Sequence, residues 1–399
     1  MWTGRILSAL AFMAWMLLFW LSLHQSKSPD YFGRYSSEYL LFLGFILAGV
    51  LALTVLAYLG VRHPDILHVE HIGGALLLLL GSIVVSLLAA ELFVRSVDLF
   101  GISLFEEATK YIMDLEADKG LVYKHRAGLD TVYQGVAFRT NEIGLRDRPL
   151  QKPGEDVLPV LILGDSVTLG WGVPMENTFS YRLETELHHA TKRPVRTINS
   201  GVSGYNTEQE LIFLKRYVES MAPKLVILVY VENDIEPEAT DMLKMQYLWN
   251  HPPGANATLL RWSWLYRIIY YVVPDLITSP SVPKDKRGWK RSMEALKEIN
   301  RVSVMHGAKL AVYLYRMRHD DVTDALNTDI SRIAGEQKFS FFDMLPWFKK
   351  VRIRSVTNSF IDSHPNMKGH RIIADGIMRT LRESGLLCQS AAALCSGGP

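Results

Sequence analysis

The chain opens with three long stretches in which polar positions all but vanish. Residues 6–23 (ILSALAFMAWMLLFWLSL) and 39–60 (YLLFLGFILAGVLALTVLAYLG) carry no charge, and a third uncharged run extends from Ile72 to Ala90, ahead of Glu91 and Arg95. At 1.5 Å per helical residue, about 20 such positions cover the ~30 Å hydrocarbon core of a bilayer. Residues 1–99 are therefore expected to be a transmembrane region of three helices, 6–23, 39–60 and 72–94. A signal peptide is the weaker reading of the first run. Its apolar stretch exceeds the usual ~7–15 residues, and no small-x-small site precedes Gln25.

Polar and apolar positions mix from there on. Residues 100–154 hold β-branched and aromatic residues broken by Gly128, Gly135 and Gly144, the pattern of a juxtamembrane linker with short strands. Beyond it, short apolar runs alternate with helix-period stretches. The runs are Leu158–Leu163, Pro194–Asn199, Lys224–Tyr230, Lys309–Leu314 and Phe339–Phe342; the helical stretches are Thr178–Ala190, Thr207–Ala222, Lys290–His306, Thr323–Glu336 and Asn366–Ser384. Continuous apolar strands suit a sheet buried on both faces, so residues 155–385 are expected to form an α/β domain with a mainly parallel sheet between helical layers. An aromatic-rich insertion, residues 236–290, interrupts the alternation as a lid, a membrane-resting segment or simple packing on its own domain. Residues 386–399 read as a flexible tail.

Composition narrows the function classes. The 43 basic and 41 acidic residues nearly cancel, and no basic stripe is interleaved with aromatics, so no nucleic-acid partner is expected. The two cysteines, Cys388 and Cys395, lie in the tail as a disulfide or as two free thiols, and no paired CxxC motif points to zinc. His63, His68 and His71 cluster between the second and third runs and are read as interfacial side chains rather than metal ligands. Flanking charge does not decide the orientation: Arg5 and Arg62 would lie on one side, Lys27, Arg34 and Arg95 on the other.

In open α/β sheets the loops after the strands line the site. Reading them in order gives Gly164-Asp165-Ser166-Val167-Thr168-Leu169-Gly170, then Asn199-Ser200-Gly201-Val202-Ser203-Gly204, then Glu232-Asn233-Asp234, and last Asp362-Ser363-His364-Pro365-Asn366. A serine hydroxyl is a weak nucleophile that needs a base, itself oriented by a third group. Ser166 is the candidate nucleophile, His364 the base and Asp362 the orienter. The Ser166 N–H, the Gly201 N–H and the Asn233 amide are candidate oxyanion donors. Asp165 is expected to order its loop, and Asn366 to cap the helix that follows.

These four blocks resemble those of the SGNH/GDSL hydrolases. GDSVTLG is similar to their first block, NSGVSG to the second, Asn233-Asp234 to the third, and Asp362 with His364 to the last. The resemblance covers residues 155–385. It implies a three-layer, flavodoxin-like domain, no metal or other cofactor, and ester hydrolysis or acyl transfer. Two positions depart from the pattern: Val231 stands where Gly-x-Asn-Asp has glycine, and Asp-x-His replaces Asp-x-x-His. The shorter spacing leaves open whether Asp362 or another group orients His364.

Three functions follow as expectations. The first is a membrane-anchored esterase removing an acyl group, acetyl foremost, from an extracytoplasmic glycan or lipid-linked substrate. The second is an O-acyltransferase acting on a polysaccharide with the same site, supplied by an acyl-donor-delivering membrane protein. The third is an inactive membrane scaffold. The association of such an anchor with such a domain points to a bacterial inner membrane, with the domain on the periplasmic side.

Overall fold

The computed structural model describes residues 2–23, 31–62 apart from 33 and 36, 72–150, 154, 156–236, 254–273 and 286–387. His63, His68, His71, Cys388 and Cys395 lie outside the described residues. The chain forms two compact units, residues 1–103 with 252–279, and residues 104–251 with 280–399.

The first unit contains α1 (Trp2–Ser22), α2 (Ser37–Arg62) and α3 (Ile72–Val97). Leu21, Tyr39, Phe42, Ile46, Val50 and Leu92 form its buried cluster. Among the described residues, one stretch is long and apolar enough to cross a membrane: Phe42–Leu59 of α2, with mean hydropathy 2.4. The apolar part of α1, Leu7–Ser22, is shorter. At 1.5 Å per residue it reaches roughly 24 Å, less than the ~30 Å core. Three helices thus stand where three spans were expected, but crossing length and apolarity hold for one. The rest of the unit comes from the aromatic insertion, as the helix Gly254–Trp262, the turn Trp264–Arg267 and a π-helical turn Ile268–Val272. This segment packs on α3, and its 254–273 part belongs to this unit, not to the α/β domain.

The second unit begins with α4 (Leu104–Met113) and two antiparallel hairpins, β1 (Leu115–Asp118) with β2 (Val122–His125) and β3 (Asp130–Tyr133) with β4 (Val136–Arg139). The expected short strands are present, and they are not a loose linker. Tyr111, Leu115, Tyr123, Tyr133, Phe138 and Leu145 are buried in the same cluster as the main sheet.

That sheet has five parallel strands: β5 (Leu158–Gly164), β6 (Val195–Asn199), β7 (Leu225–Tyr230), β8 (Lys309–Leu314) and β9 (Ser340–Asp343). Their order is β6-β5-β7-β8-β9, the flavodoxin-like winding that reverses direction at β5. Alternation on β5 shows why a continuous apolar run was needed. Leu161 and Leu163 enter one cluster with α7 (Thr207–Met221), α8 (Lys286–Met305) and α9 (Asp321–Gln337), while Val160 and Ile162 enter another with α6 (Phe179–Thr191) and α10 (Met367–Glu383). Each fully buried Val, Leu or Ile contributes roughly 1.5–3 kcal/mol, so both faces must stay apolar. One-turn helix α5, Ser166–Leu169, is numbered between β5 and α6 in the chain.

Candidate active site

β5 delivers its last residue into a tight strand-to-helix turn. A Cβ on Gly164 would lie 2.1 Å from Thr168 Oγ1, so the turn closes only on glycine. Asp165 caps α5: its Oδ1 accepts the Val167 N–H at 2.9 Å, while Oδ2 lies 3.4 Å from Ser166 Oγ. Its expected loop-ordering part matches these contacts. Ser166 opens α5, so its N–H has no acceptor within the helix.

Asp362 and His364 lie on the loop before α10, which is closed by the Asn358 N–H to His364 carbonyl bond and by pairing of Thr357 with Pro365. Asn366 caps α10, accepting the Lys368 and Gly369 N–H groups. Asp362 is buried, and its carboxylate folds back over its own turn. Oδ1 accepts both the His364 N–H at 3.1 Å and ring Nδ1 at 2.5 Å, which is how Asp-x-His brings the two groups together without an extra residue. Oδ2 accepts from Asn358 Nδ2 at 3.2 Å, and Asn358 also donates to the Trp171 carbonyl. With Nδ1 protonated against Asp362, Nε2 offers its lone pair 2.8 Å from Ser166 Oγ. Ser166 and His364, 198 residues apart in sequence, thus stand with Asp362 in one chain of hydrogen bonds that can take a proton from the hydroxyl.

The oxyanion candidates are less uniform. The Gly201 N–H donates to Asn199 Oδ1 at 2.9 Å, so in this arrangement it is already engaged. Glycine at 201 also has a packing reason. A Cβ would stand 2.2 Å from the Leu169 nitrogen, so glycine lets the loop after β6 lie against α5. Gly201→Ala should lower stability by roughly 1–3 kcal/mol through overpacking. A urea midpoint equal to that of the parent chain would show that the 168–169 backbone yields instead. Asn233 lies on the turn after β7, and its side chain lowers the Asp165 carboxyl pKa against the effect of burial. Its amide carries two N–H donors. Val231, where glycine is usual, has φ −118° and ψ 162°, extended backbone that any residue adopts.

Charge around the base favours its protonated form. Burial alone would lower the His364 pKa, but the Asp362 hydrogen bond and charge, with the Asp165 carboxylate, raise it above the ordinary value. Burial pushes the Asp165 carboxyl up, against the Val167 N–H, the His364 charge and the Asn233 amide. Buried Glu210 and Asp234 are both held well above the usual carboxylate range, Glu210 by burial and the Asp234 and Asp165 charges, Asp234 by burial and the Asp165 and Glu236 charges.

Three side chains that hold the site escaped the sequence reading. Arg146, 3% exposed, sends Nη1 to the Leu169 and Gly170 carbonyls at 3.0 and 2.7 Å and Nη2 to the Val173 carbonyl at 2.7 Å. It thereby satisfies carbonyls that α5 leaves open. Asn199 donates to the Thr168 carbonyl at 2.8 Å, and Asn358 fixes the second oxygen of Asp362. Asn199 opens the second block and Asn358 lies four residues before Asp362, a signal of proximity only. Nothing in the pattern marks Arg146.

Comparison with curated proteins finds no match. Among solved structures the chain is similar to TesA (15% identity, TM-score 0.38), over 56% of this chain and 98% of that one. It is also similar to the psychrotrophic esterase EstA from Pseudoalteromonas sp. (16%, TM-score 0.37), over 56% and 97%. A two-domain esterase, CEX, active on acetylated mannans, is matched at 16% identity and TM-score 0.38 over 57% of this chain but 49% of its own. None of these likenesses, at such identities and TM-scores, speaks to a substrate. The GDSL-like Lipase/Acylhydrolase family matches residues 162–372, just over half of the chain, from within β5 to within α10, and so includes the serine, the histidine and the aspartate. The chain therefore belongs to the GDSL-like lipase/acylhydrolase family and is an ester-hydrolysing serine hydrolase.

Proposed function

We propose that Ser166 attacks an acyl ester, acetyl foremost, on a glycan or lipid-linked sugar outside the cytoplasm, in a chain anchored to the bilayer by its first unit. The observation that supports the catalytic part is the unbroken Asp362–His364–Ser166 hydrogen-bond chain. His364 Nε2 takes the hydroxyl proton as Oγ adds to the carbonyl carbon, and Asp362 stabilises the imidazolium. The oxyanion meets the Ser166 N–H and an N–H of the Asn233 amide. Gly201 joins them if its N–H leaves Asn199. His364 then protonates the departing alcohol, and water, activated by the same imidazole, frees the acid and Ser166. Anchoring is supported by the apolar stretch Phe42–Leu59, with α1 and α3 as its expected companions.

Treatment with a fluorophosphonate should add one phosphonyl group to the peptide carrying Ser166 and stop turnover of a chromogenic acetate ester. An unmodified Ser166 with turnover intact would sink the nucleophile assignment. With an acetylated glycan, release of free acetate supports hydrolysis. Acyl groups recovered instead on an added sugar acceptor would make the chain a transferase.

A further inference from the structure

Residues 254–273 interrupt the α/β domain in sequence yet fold with α1–α3. A compact charged contact holds them there. The Glu91 carboxylate on α3 accepts the Trp264 N–H at 2.7 Å, the Leu265 N–H at 2.9 Å and the Ser263 hydroxyl at 2.8 Å, and also pairs with Arg95 at 2.8 Å. Arg95 in turn donates to the Trp262 carbonyl, with its guanidinium 4.3 Å from the Phe42 ring centroid and 5.4 Å from that of Trp264.

Two helices independently mark this as one level. On α3 the uncharged run ends at Glu91 and Arg95. On α2, Phe42 lies near the start of the uncharged apolar run 39–60. Arg95 touches Phe42, so the charged end of one helix lies beside the apolar end of the other. Aromatic and long cationic side chains gather at such levels in membrane proteins, because each has one end that favours lipid and one that favours water. The segment bound there exposes Leu259, Trp262, Ile269, Tyr270 and Val273. Those are large apolar and aromatic groups in a unit whose other exposed side chains include Leu47, Leu51 and Val55 of α2.

We propose that residues 254–273 are a membrane-interface element, fixed to α3 by Glu91 and Arg95 and presenting Leu259, Trp262, Ile269, Tyr270 and Val273 to the headgroup–acyl boundary of a lipid bilayer. This rests on the reading of α2 as a membrane span. A helix lying in the interface buries its apolar face about 5–10 Å below the headgroups, so contact with lipid should be shallow.

The test uses the full chain with Cys388→Ser and Cys395→Ser, one added cysteine carrying a fluorophore, and phosphatidylcholine vesicles brominated at defined acyl depths. Ile269→Cys should be quenched severalfold more by shallow than by deep bromine, Leu51→Cys more by deep bromine, and Lys350→Cys by neither. If Leu51 is quenched and Ile269 is not, the interface element is overturned while the span survives. Energy transfer between labelled copies at Ile269 would then identify a second chain as the cover. If neither is quenched, the span itself fails. Adding Glu91→Ala should reduce quenching at Ile269 to the Lys350 level and leave Leu51 unchanged. Full retention would overturn the anchoring part.

Discussion

Asp362→Asn should lower kcat by about 10⁴-fold on an activated ester while leaving the fold intact. The magnitude follows from what the carboxylate does in such triads: it selects the imidazole tautomer and stabilises the imidazolium. An amide in its place presents either a weaker acceptor or an N–H toward Nδ1, and then Nε2 carries the proton and cannot take another. The pH profile supplies the sign. His364 works as a base only when neutral, and its folded pKa is raised by Asp362 and Asp165 against the effect of burial. Activity should therefore rise with pH through a midpoint above the ordinary ~6.5 of imidazole. Without the Asp362 charge, burial dominates and the midpoint should move down, even as the plateau falls. A variant within tenfold of the parent would mean that Ser166 and His364 act as a dyad oriented by some other group. A midpoint that does not move would remove Asp362 as the cause of the raised pKa.

Arg146→Met should be nearly as damaging by a different route. The guanidinium is cationic at neutral pH although burial pushes its pKa down to about 10, and it lies over the Phe138 ring. Removing it takes the donor from the Leu169 and Val173 carbonyls and one of two donors from the Gly170 carbonyl, which also accepts the Val173 N–H. A buried acceptor left unsatisfied costs about 1–3 kcal/mol, and a displacement of about 1 Å at Ser166 costs on the order of 10²-fold in rate. The urea midpoint and kcat should both fall, with KM for a small ester little changed. Arg146→Lys keeps the charge but cannot serve three carbonyls, so it should recover part of the stability and less of the rate. A parent-like urea midpoint in Arg146→Met would show that water replaces the guanidinium.

The α/β architecture was legible because each strand is a continuous apolar run and each flanking helix shows one apolar face. β8 begins and ends at the expected residues, and the expected β5 falls one residue short of Gly164. The site was legible as far as it is local. Asp165 and Asn366 cap the helices that directly follow them. Contacts across the fold were not, since nothing in residues 141–147 announces that Arg146 will meet carbonyls 23 to 27 residues away, or that Asp147 will hold the Asn199 N–H 52 residues away. The hairpins were foreseen as elements but not as core, because half-buried strands with mixed faces look alike whether they pack or link.

The first unit is discontinuous in sequence, and that imposes an order in time. Glu91 is synthesised 172 residues before Ser263, the first group of the insertion that it binds. At about 5–20 residues per second, Glu91 waits roughly 10–30 s with Arg95 of its own helix as partner, while β5, β6 and β7 are already made. The same split governs any attempt to isolate the hydrolase. A fragment cut at residue 104 keeps 254–273 and discards the carboxylate that caps it, leaving Trp262 and Ile269 without the helix they belong to. Replacing 252–279 by a short polar bridge at the same time removes both halves of that partnership together.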